Sequence, residues 1–126
     1  MIVELVSVGT ELLLGNIVNT NTQYLAEQCA LLGLSLYHQS VVGDNHDRLA
    51  EVVKTALGRS DVVILTGGLG PTEDDLTKEV CAEVMGYKLV EDPHTREHLE
   101  QFFKNNIYKE IPDNNWKQAM VPEGAL

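Results

Sequence analysis

Basic residues are scarce in this sequence. Nine lysines and arginines stand against 19 aspartates and glutamates, which gives a formal net charge of −10. A protein that wraps nucleic acid needs a basic surface, so this balance argues against a nucleic-acid partner. It also leaves few side chains that could neutralise a phosphorylated ligand. Backbone N–H groups and a metal ion would have to do much of that work.

Long apolar runs are missing as well. No run approaches the roughly 18 residues that cross a bilayer, so no membrane segment is expected. The N-terminal stretch 1–4 has neither the basic region nor the cleavage site of a signal peptide, and we expect a cytoplasmic location by default. The only two cysteines, Cys29 and Cys81, lie on or near apolar helix faces. This predicts small buried residues, not a disulfide or a metal pair.

Several catalytic signatures are absent or incomplete. No Gly-Lys-Ser/Thr occurs, and the dinucleotide fingerprint that Gly68 and Gly70 would begin needs a third glycine where Glu73 stands. No serine occupies a G-x-S-x-G elbow, so a nucleophilic side chain is not expected. The stretch 94–98 matches the inverted zinc pattern H-x-x-E-H. It is strongly polar and has no clear third ligand, which favours a solvated helix.

The 126 residues are enough for one domain with a core. Apolar stretches predict strands at 2–8, 34–42 and 62–66. Helices are predicted after each of them, and the second helix has the cleanest 3.6-residue periodicity. This alternation predicts a single α/β domain of three α/β/α layers, with a mostly parallel central sheet covered on both faces.

The remainder of the chain has a looser pattern. A short strand is predicted at 88–90, and a helix from Pro93 to about residue 106. An irregular segment is expected at 107–112, a short helix from Asp113, and entry into another strand near Val121.

The most informative stretch is Asp61–Thr77. Its apolar run predicts a strand buried on both faces, and its glycines at 67, 68 and 70 predict a tight turn that a ligand can approach closely. Thr72–Asp75 is predicted as the first turn of the next helix, where backbone N–H groups favour phosphate. Three acids, at positions 73 to 75, would repel phosphate unless a cation lies between them. The stretch therefore predicts a phosphate or pyrophosphate ligand bridged by a divalent metal, Mg²⁺ or Mn²⁺ in class. The alternative is that these acids only cap the helix and complement its dipole.

Parallel sheets place ligands at the carboxyl ends of their strands. The loops expected there are 9–16, 43–47 and 66–75, and each contains at least one acid. Their convergence predicts one site in which metal-activated water attacks phosphorus while the backbone N–H groups of 67–70 hold the leaving phosphate.

Two long motifs, Gly9–Asn21 and Thr66–Thr77, closely resemble the N-terminal domain of the CinA (competence/damage-inducible) family. More distantly they resemble the molybdopterin-binding domain of molybdenum-cofactor biosynthesis proteins. The resemblance extends over essentially the whole chain. It implies metal-dependent hydrolysis of ADP-ribose to AMP and ribose 5-phosphate. It also implies roles in ligand binding or turnover for Asp44 and Asp75, with Glu11 at the acidic position of the first motif.

The leading hypothesis is therefore a phosphoanhydride hydrolase with assigned site residues. The catalytic residues are Asp44 and Asp75, and the metal ligands are Asp44, Asp74 and Asp75. The substrate and phosphate contacts are Thr10, Glu11, Asn16, Thr66, Gly67, Gly68, Gly70 and Thr72.

Two other hypotheses remain open, namely a non-catalytic module that binds molybdopterin or a nucleotide, and an assembly domain. The resemblance further implies a homo-oligomer and, in many members, a C-terminal domain that deamidates nicotinamide mononucleotide. Family members usually continue past Leu126 into a Gly-Thr-Ala-Pro-Gly segment that would complete the phosphate site. The domain is therefore expected to be truncated at its C-terminal end.

Overall fold

Strand β1 (Ile2–Val8) is the centre of the sheet. In the computed structural model, which describes residues 1–105 and 110–126, β1 is buried from Val3 to Val8. It pairs in parallel with β2 (Ser35–Val42) on one side and with β3 (Val62–Thr66) on the other. Apolar side chains on both faces of β1 explain its central place, since only a strand covered on both sides gains from them.

Helices cover both faces of this sheet. Helix α2 (Thr20–Leu31) lies over one face, where its Cys29 packs with Val3 and Leu5. Helices α3 (His46–Arg59) and α4 (Thr77–Met85) lie over the other. The core on that side consists of Val6, Val8, Val42, Leu49, Val53 and Val80. The predicted three-layer α/β arrangement with a parallel sheet is confirmed.

Two sequence predictions about these elements are wrong in part. Strand β3 is covered on both faces, by Val63 and Leu65 on the α3 side and Ile64 on the α2 side, but it is only partly buried. It forms an edge of the three-stranded sheet and leaves Val62 37% exposed. The stretch 9–16 is not all loop, because a single helical turn, α1 (Thr10–Leu13), forms directly after β1. The apolar run of β3 is typical of a central parallel strand, and its pattern alone does not show that it lies at an edge.

A smaller unit follows α4. It consists of β4 (Leu89–Glu91), α5 (Pro93–Lys104), a 3-10 helix (Asp113–Ala119) and β5 (Met120–Pro122), which pairs antiparallel with β4. These elements confirm the predicted short strand, the helix from Pro93, the helix from Asp113 and the strand near Val121. Helix α5 ends two residues earlier than expected, and the predicted irregular segment lies partly outside the described residues.

A buried ion pair supports the sheet at the amino end of β3. Glu4 is 1% exposed, and its carboxylate accepts hydrogen bonds from Arg59 Nη2 at 2.6 Å, Arg59 Nε at 3.0 Å and Ser60 Oγ at 2.9 Å. These bonds, chiefly those from Arg59, lower the pKa of Glu4 although its burial opposes them.

Both cysteines are free, and Cys29 is buried as predicted. Cys81 is only half-buried, and this burial raises the pKa of its thiol. The stretch 94–98 lies on α5 with both histidines exposed, as a solvated helix requires. None of the helices in the described part of the chain combines the length and the apolar character needed to cross a bilayer.

Candidate functional site at the carboxyl ends of the strands

The loops after β1 and β2 are tied together by Thr10 and Asp44. The backbone N–H of Asp44 donates to Thr10 Oγ1 at 3.1 Å, and the N–H of Thr10 donates to Asp44 Oδ2 at 3.4 Å. The prediction that the fold joins these two loops is therefore confirmed at these two residues. Asp44 is half-buried and Thr10 is exposed, so both lie at the surface of the sheet's carboxyl edge.

The turn after β3, residues 67–70, contains the glycines that the sequence singled out. Gly67 has φ of 89° and Gly68 has φ of 65°, which are values that other residues adopt only with strain. A Cβ on Gly67 would lie 2.1 Å from the carbonyl oxygen of Val8, and a Cβ on Gly68 would lie 2.2 Å from Thr77 Oγ1. Contacts within the chain thus require both glycines, independently of any ligand.

The same turn orients two peptide groups. The hydroxyl of Thr77 donates to the carbonyl of Gly67 at 2.7 Å, and the N–H of Thr77 donates to the carbonyl of Gly68 at 3.2 Å. In a trans peptide the C=O and the N–H point in opposite directions. The N–H groups of Gly68 and Leu69 are therefore directed away from α4, where an anionic ligand could accept from them.

Residues 72–75 form a separate turn, which we call the acidic turn. The carboxylate of Asp75 accepts from Thr72 Oγ1 at 2.7 Å and from Thr72 N–H at 3.0 Å, while the N–H of Asp75 donates to the carbonyl of Thr72 at 3.2 Å. The prediction that Thr72–Asp75 begins the helix is wrong, since α4 begins at Thr77. The N–H of Thr72, in the turn expected to hold phosphate, is bonded to the Asp75 carboxylate, and the N–H of Thr77, the first residue of α4, is bonded to the carbonyl of Gly68. The Asp75 side chain competes for the backbone here, as Asp side chains commonly do in turns.

The three acids of this turn differ in their surroundings. Glu73 and Asp74 are exposed, whereas Asp75 is half-buried. The hydrogen bond from the Thr72 hydroxyl is the main cause that lowers the pKa of Asp75, and the N–H groups of Thr72 and Gly70 and the charge of Lys117 add to it. Burial opposes this shift but does not cancel it. Asp75 is therefore an ionised acceptor at neutral pH.

A pocket of about 150 Å³ opens beside the glycine turn. At its edge the side-chain amide of Asn21 donates to Thr66 Oγ1 at 3.1 Å. Asn16 is exposed, and its N–H donates to the carbonyl of Glu11 at 3.0 Å. The residues around the pocket are Val8, Glu11, Leu12, Ile17, Val18, Asn19, Thr20, Asn21, Thr66 and Gly67.

Polar contacts that the sequence did not predict adjoin this pocket at Asn19. Asn19 Nδ2 donates to Ser7 Oγ at 2.9 Å, and Ser7 Oγ lies 2.7 Å from Thr22 Oγ1. Asn19 also caps α2, because its Oδ1 accepts from the N–H of Thr22. The only sequence signal for the contacts among Ser7, Asn19 and Thr22 was Ser7 itself, a polar residue in an otherwise apolar part of β1.

The carboxylates at this site fit a metal ion only when a bound substrate supplies part of the metal's coordination. Within residues 1–105 and 110–126, no three His, Cys, Asp or Glu side chains lie together as a metal-binding group. Mg²⁺, however, commonly binds through one or two carboxylates together with the phosphates of its substrate and several waters. Asp44 and Asp75 supply carboxylates of that type, and the assignment of Asp44, Asp74 and Asp75 as ligands stays a prediction.

Comparisons with known proteins agree with this fold. Residues 4–123 match the family model described as "Probable molybdopterin binding domain". A protein of Symbiobacterium thermophilum named "Putative competence-damage inducible protein" is 57% identical over 125 residues, which cover 99% of this chain and 29% of that protein. A "CinA-like protein" of Nostoc sp. is 52% identical over 125 residues, again 99% of this chain and 29% of the relative. The chain thus spans about 29% of the length of these curated relatives.

Solved structures give the same result. The protein CinA of Thermoplasma acidophilum superposes with a TM-score of 0.88 at 30% identity, covering 97% of this chain and 70% of that one. The molybdopterin biosynthesis enzyme MoaB of Thermus thermophilus superposes with a TM-score of 0.63 at 18% identity, covering 96% and 78%, and shows likeness of fold alone. The sequence, the parallel sheet with its glycine turn and these comparisons together place the chain in the CinA family, as a domain of the molybdopterin-binding type.

Proposed function

We propose that this domain is a metal-dependent nucleotide pyrophosphatase that hydrolyses ADP-ribose to AMP and ribose 5-phosphate. The observation that carries the proposal is the pairing of the glycine turn with the acidic turn. The first directs backbone N–H groups away from α4, and the second holds the Asp75 carboxylate ionised a few residues away. Phosphate binding and the orientation of water need these two kinds of group in one place.

The reaction is a hydrolysis and needs only water as co-substrate. The water oxygen forms a bond to one phosphorus of the pyrophosphate, the bridging P–O bond breaks, and the bridging oxygen leaves with the other phosphate. In this proposal Asp75 and Asp44 orient the water and accept its proton. The N–H groups of the turn at Gly67, Gly68 and Gly70 stabilise the charge on the phosphate oxygens.

A divalent metal carried on the pyrophosphate would polarise its oxygens and lower the pKa of a bound water. The exposed Asp74 and the half-buried Asp44 and Asp75 are the side chains assigned to it. With a net charge of −10, the chain has few cations to offer a doubly charged pyrophosphate, so a metal brought with the substrate also relieves repulsion.

The size of the pocket limits what it can hold. Pockets that enclose most of a drug-sized ligand measure about 300–1,000 Å³, whereas this one measures about 150 Å³. We infer that it takes one part of the substrate, such as a ribose phosphate. The remainder would lie over the exposed side chains of Thr10, Asn16 and Thr72, with Glu11 and Thr66 on the pocket wall.

A second candidate function is a non-catalytic module that binds molybdopterin or a nucleotide. Two observations favour it. The matching family is described by molybdopterin binding, and no protein-only metal group is assembled in the described residues. The same glycine turn could hold a pterin phosphate without turning it over.

The deciding experiment is AMP release from ADP-ribose, with and without added Mg²⁺ or Mn²⁺. It uses the 126-residue chain and, in parallel, the longer relative from Symbiobacterium thermophilum. We expect metal-dependent release. Asp75→Asn should lower the rate by about 100-fold or more, because it removes a charge at the reacting centre. Glu73→Gln is the matched control, since it neutralises an exposed neighbour on the same turn and should leave the rate within about threefold.

Other outcomes would select between the candidates. Wild-type rates from Asp75→Asn would contradict the assigned mechanism. No AMP from either folded protein, together with saturable molybdopterin binding in calorimetry, would establish the binding module instead. Release by the longer relative alone would show that the site needs residues outside 1–126.

A further inference from the structure

Lys117 connects the smaller unit to the candidate site. It lies on the 3-10 helix, more than forty residues after the acidic turn, and its side chain is 25% exposed. Its ammonium group donates to the carbonyl oxygen of Thr72 at 2.6 Å and also to the carbonyl oxygen of Asp75. The third neighbour is Glu79, whose Oε1 lies 3.7 Å away.

These contacts match the chemistry of an ammonium group closely. Lysine has three N–H donors and no acceptor, and here three acceptors surround it. Two of the acceptors are the carbonyls of the first and the last residue of the acidic turn. Those same two residues are joined by the Asp75 carboxylate, so one ammonium group fixes both ends of the turn that carries this carboxylate.

The 3-10 helix that carries Lys117 is itself held in place. Lys78 Nζ donates to the carbonyl of Lys117 at 2.7 Å, which ties the 3-10 helix to the first turn of α4. The guanidinium of Arg96 lies 4.5 Å from the ring centre of Trp116, which ties the 3-10 helix to α5. Lys117 is therefore presented to the acidic turn from a supported position.

We propose that Lys117 is a positioning residue, which holds the acidic turn in the conformation that presents the Asp75 carboxylate and does not itself contact the substrate. This inference rests on the proposed function for its catalytic consequence only, because the contacts to Thr72 and Asp75 are independent of any ligand. A lysine of the smaller unit thus sets the geometry of a site built on the parallel sheet.

The test compares Lys117→Met with Lys78→Met in the 126-residue chain. Lys78→Met removes a support of the 3-10 helix but keeps the Lys117 ammonium group, whereas only Lys117→Met removes the donor of the bonds to the acidic turn. The measurements are thermal unfolding, amide exchange of residues 72–77, and kcat and KM for ADP-ribose with Mg²⁺. For Lys117→Met we expect exchange in 72–77 to rise about tenfold or more above that of Lys78→Met. We expect kcat to fall about 10- to 100-fold, with KM changed less than about threefold.

Two outcomes would overturn the inference. One is equal exchange of residues 72–77 in the two variants. The other is an equal loss of kcat in both, in proportion to their loss of stability, which would make Lys117 merely structural. If the wild-type chain releases no AMP, the proposed function fails and the amide exchange alone decides whether Lys117 holds the turn.

Discussion

Glu4 shows at the level of a single residue how the sheet accommodates a charge at its centre. A carboxylate buried to 1% exposure would cost several kcal/mol if it were unpaired. Arg59 and Ser60, at the end of α3 and just before β3, supply three hydrogen bonds to it. Since Arg59 itself is 40% exposed, the pair is only partly withdrawn from water and contributes less than a fully buried one.

The first prediction concerns Glu4→Gln and its dependence on pH. The folded protein lowers the pKa of Glu4 below its usual value of 4.5. The contribution of the Glu4 carboxylate to the free energy of unfolding is therefore fully present above pH 4.5 and is lost as the pH falls through the lower pKa of the folded protein. At pH about 7 we expect Glu4→Gln to lower the free energy of unfolding by about 1–3 kcal/mol, and this difference should shrink as the pH falls below 4.5.

Urea unfolding at a series of pH values checks this prediction. Glu123→Gln is the control, because it removes the same charge from an exposed position and should change stability by less than about 0.5 kcal/mol. A penalty for Glu4→Gln that stays constant down to pH about 3 would show that the ion pair is not its origin.

The place of a residue at the sheet's edge was predictable from the sequence where it depends on local pattern, but not where it depends on distant contacts. The location of Thr10 and Asp44 follows from loops with acids placed after strands. Lys117 gave no signal, because its partners Thr72 and Asp75 come into reach only once the 3-10 helix has packed against α4.

At the level of elements, the turn after β3 is built tightly against its neighbours. Gly67 fits under the last carbonyl of β1, and Gly68 fits against the first residue of α4. The turn therefore fixes the distance between strand and helix as well as the direction of its own N–H groups. Close approach of a ligand, which the sequence suggested as the reason for these glycines, is not needed to explain them.

The second prediction compares Gly67→Ala with Gly58→Ala. In Gly67→Ala the new Cβ combines a positive φ with a contact of 2.1 Å to the Val8 carbonyl, so the protein should lose about 1–3 kcal/mol or more. Gly58 lies within α3, and a Cβ there meets nothing within 4 Å, so Gly58→Ala should gain about 0.5–1 kcal/mol. Thermal unfolding of the two variants measures this, and a Gly67→Ala protein as stable as wild type would contradict the described turn.

Element types were easier to predict than element boundaries. Helix α3 follows from its apolar spacing, whereas its first residue was not marked in advance by Asn45, whose side chain accepts from the N–H of Arg48 at 3.0 Å. The start of α4 was placed too early because Thr72 and the acids after it resemble a helical first turn. The side chain of Asp75 instead closes a turn of its own, and hydrogen-bond competition of this kind has no distinct sequence pattern.

Across the whole molecule, we expect local stability to be highest in the parallel sheet and lower in the smaller unit. Strand β1 is buried from Val3 to Val8 and has a hydrogen-bonded neighbour on each side, whereas β4 and β5 form a two-stranded ribbon at the periphery. Two strands alone are marginal, and this ribbon depends on its packing against α4 and the 3-10 helix.

The third prediction is therefore an order of amide exchange. The amides of β1 should exchange only through global unfolding, while those of Leu89–Glu91, Met120 and Val121 should open at a lower free energy. Exchange followed by mass spectrometry at low denaturant resolves the two groups. Equal protection of both groups would mean that the chain unfolds as one unit, without an intermediate in which β4 and β5 have opened while β1 stays folded.

The central place of β1 also has a consequence for synthesis of the protein on the ribosome. Strand β1 is synthesised before both of its partners, and β3 is complete only at Thr66. At about 5–20 residues per second, the stretch from β1 to β3 takes roughly 3–12 s to synthesise. During that time the strand that is most buried in the folded protein is without one or both neighbours. A chaperone that binds short, largely apolar segments would find a substrate in β1 during this interval.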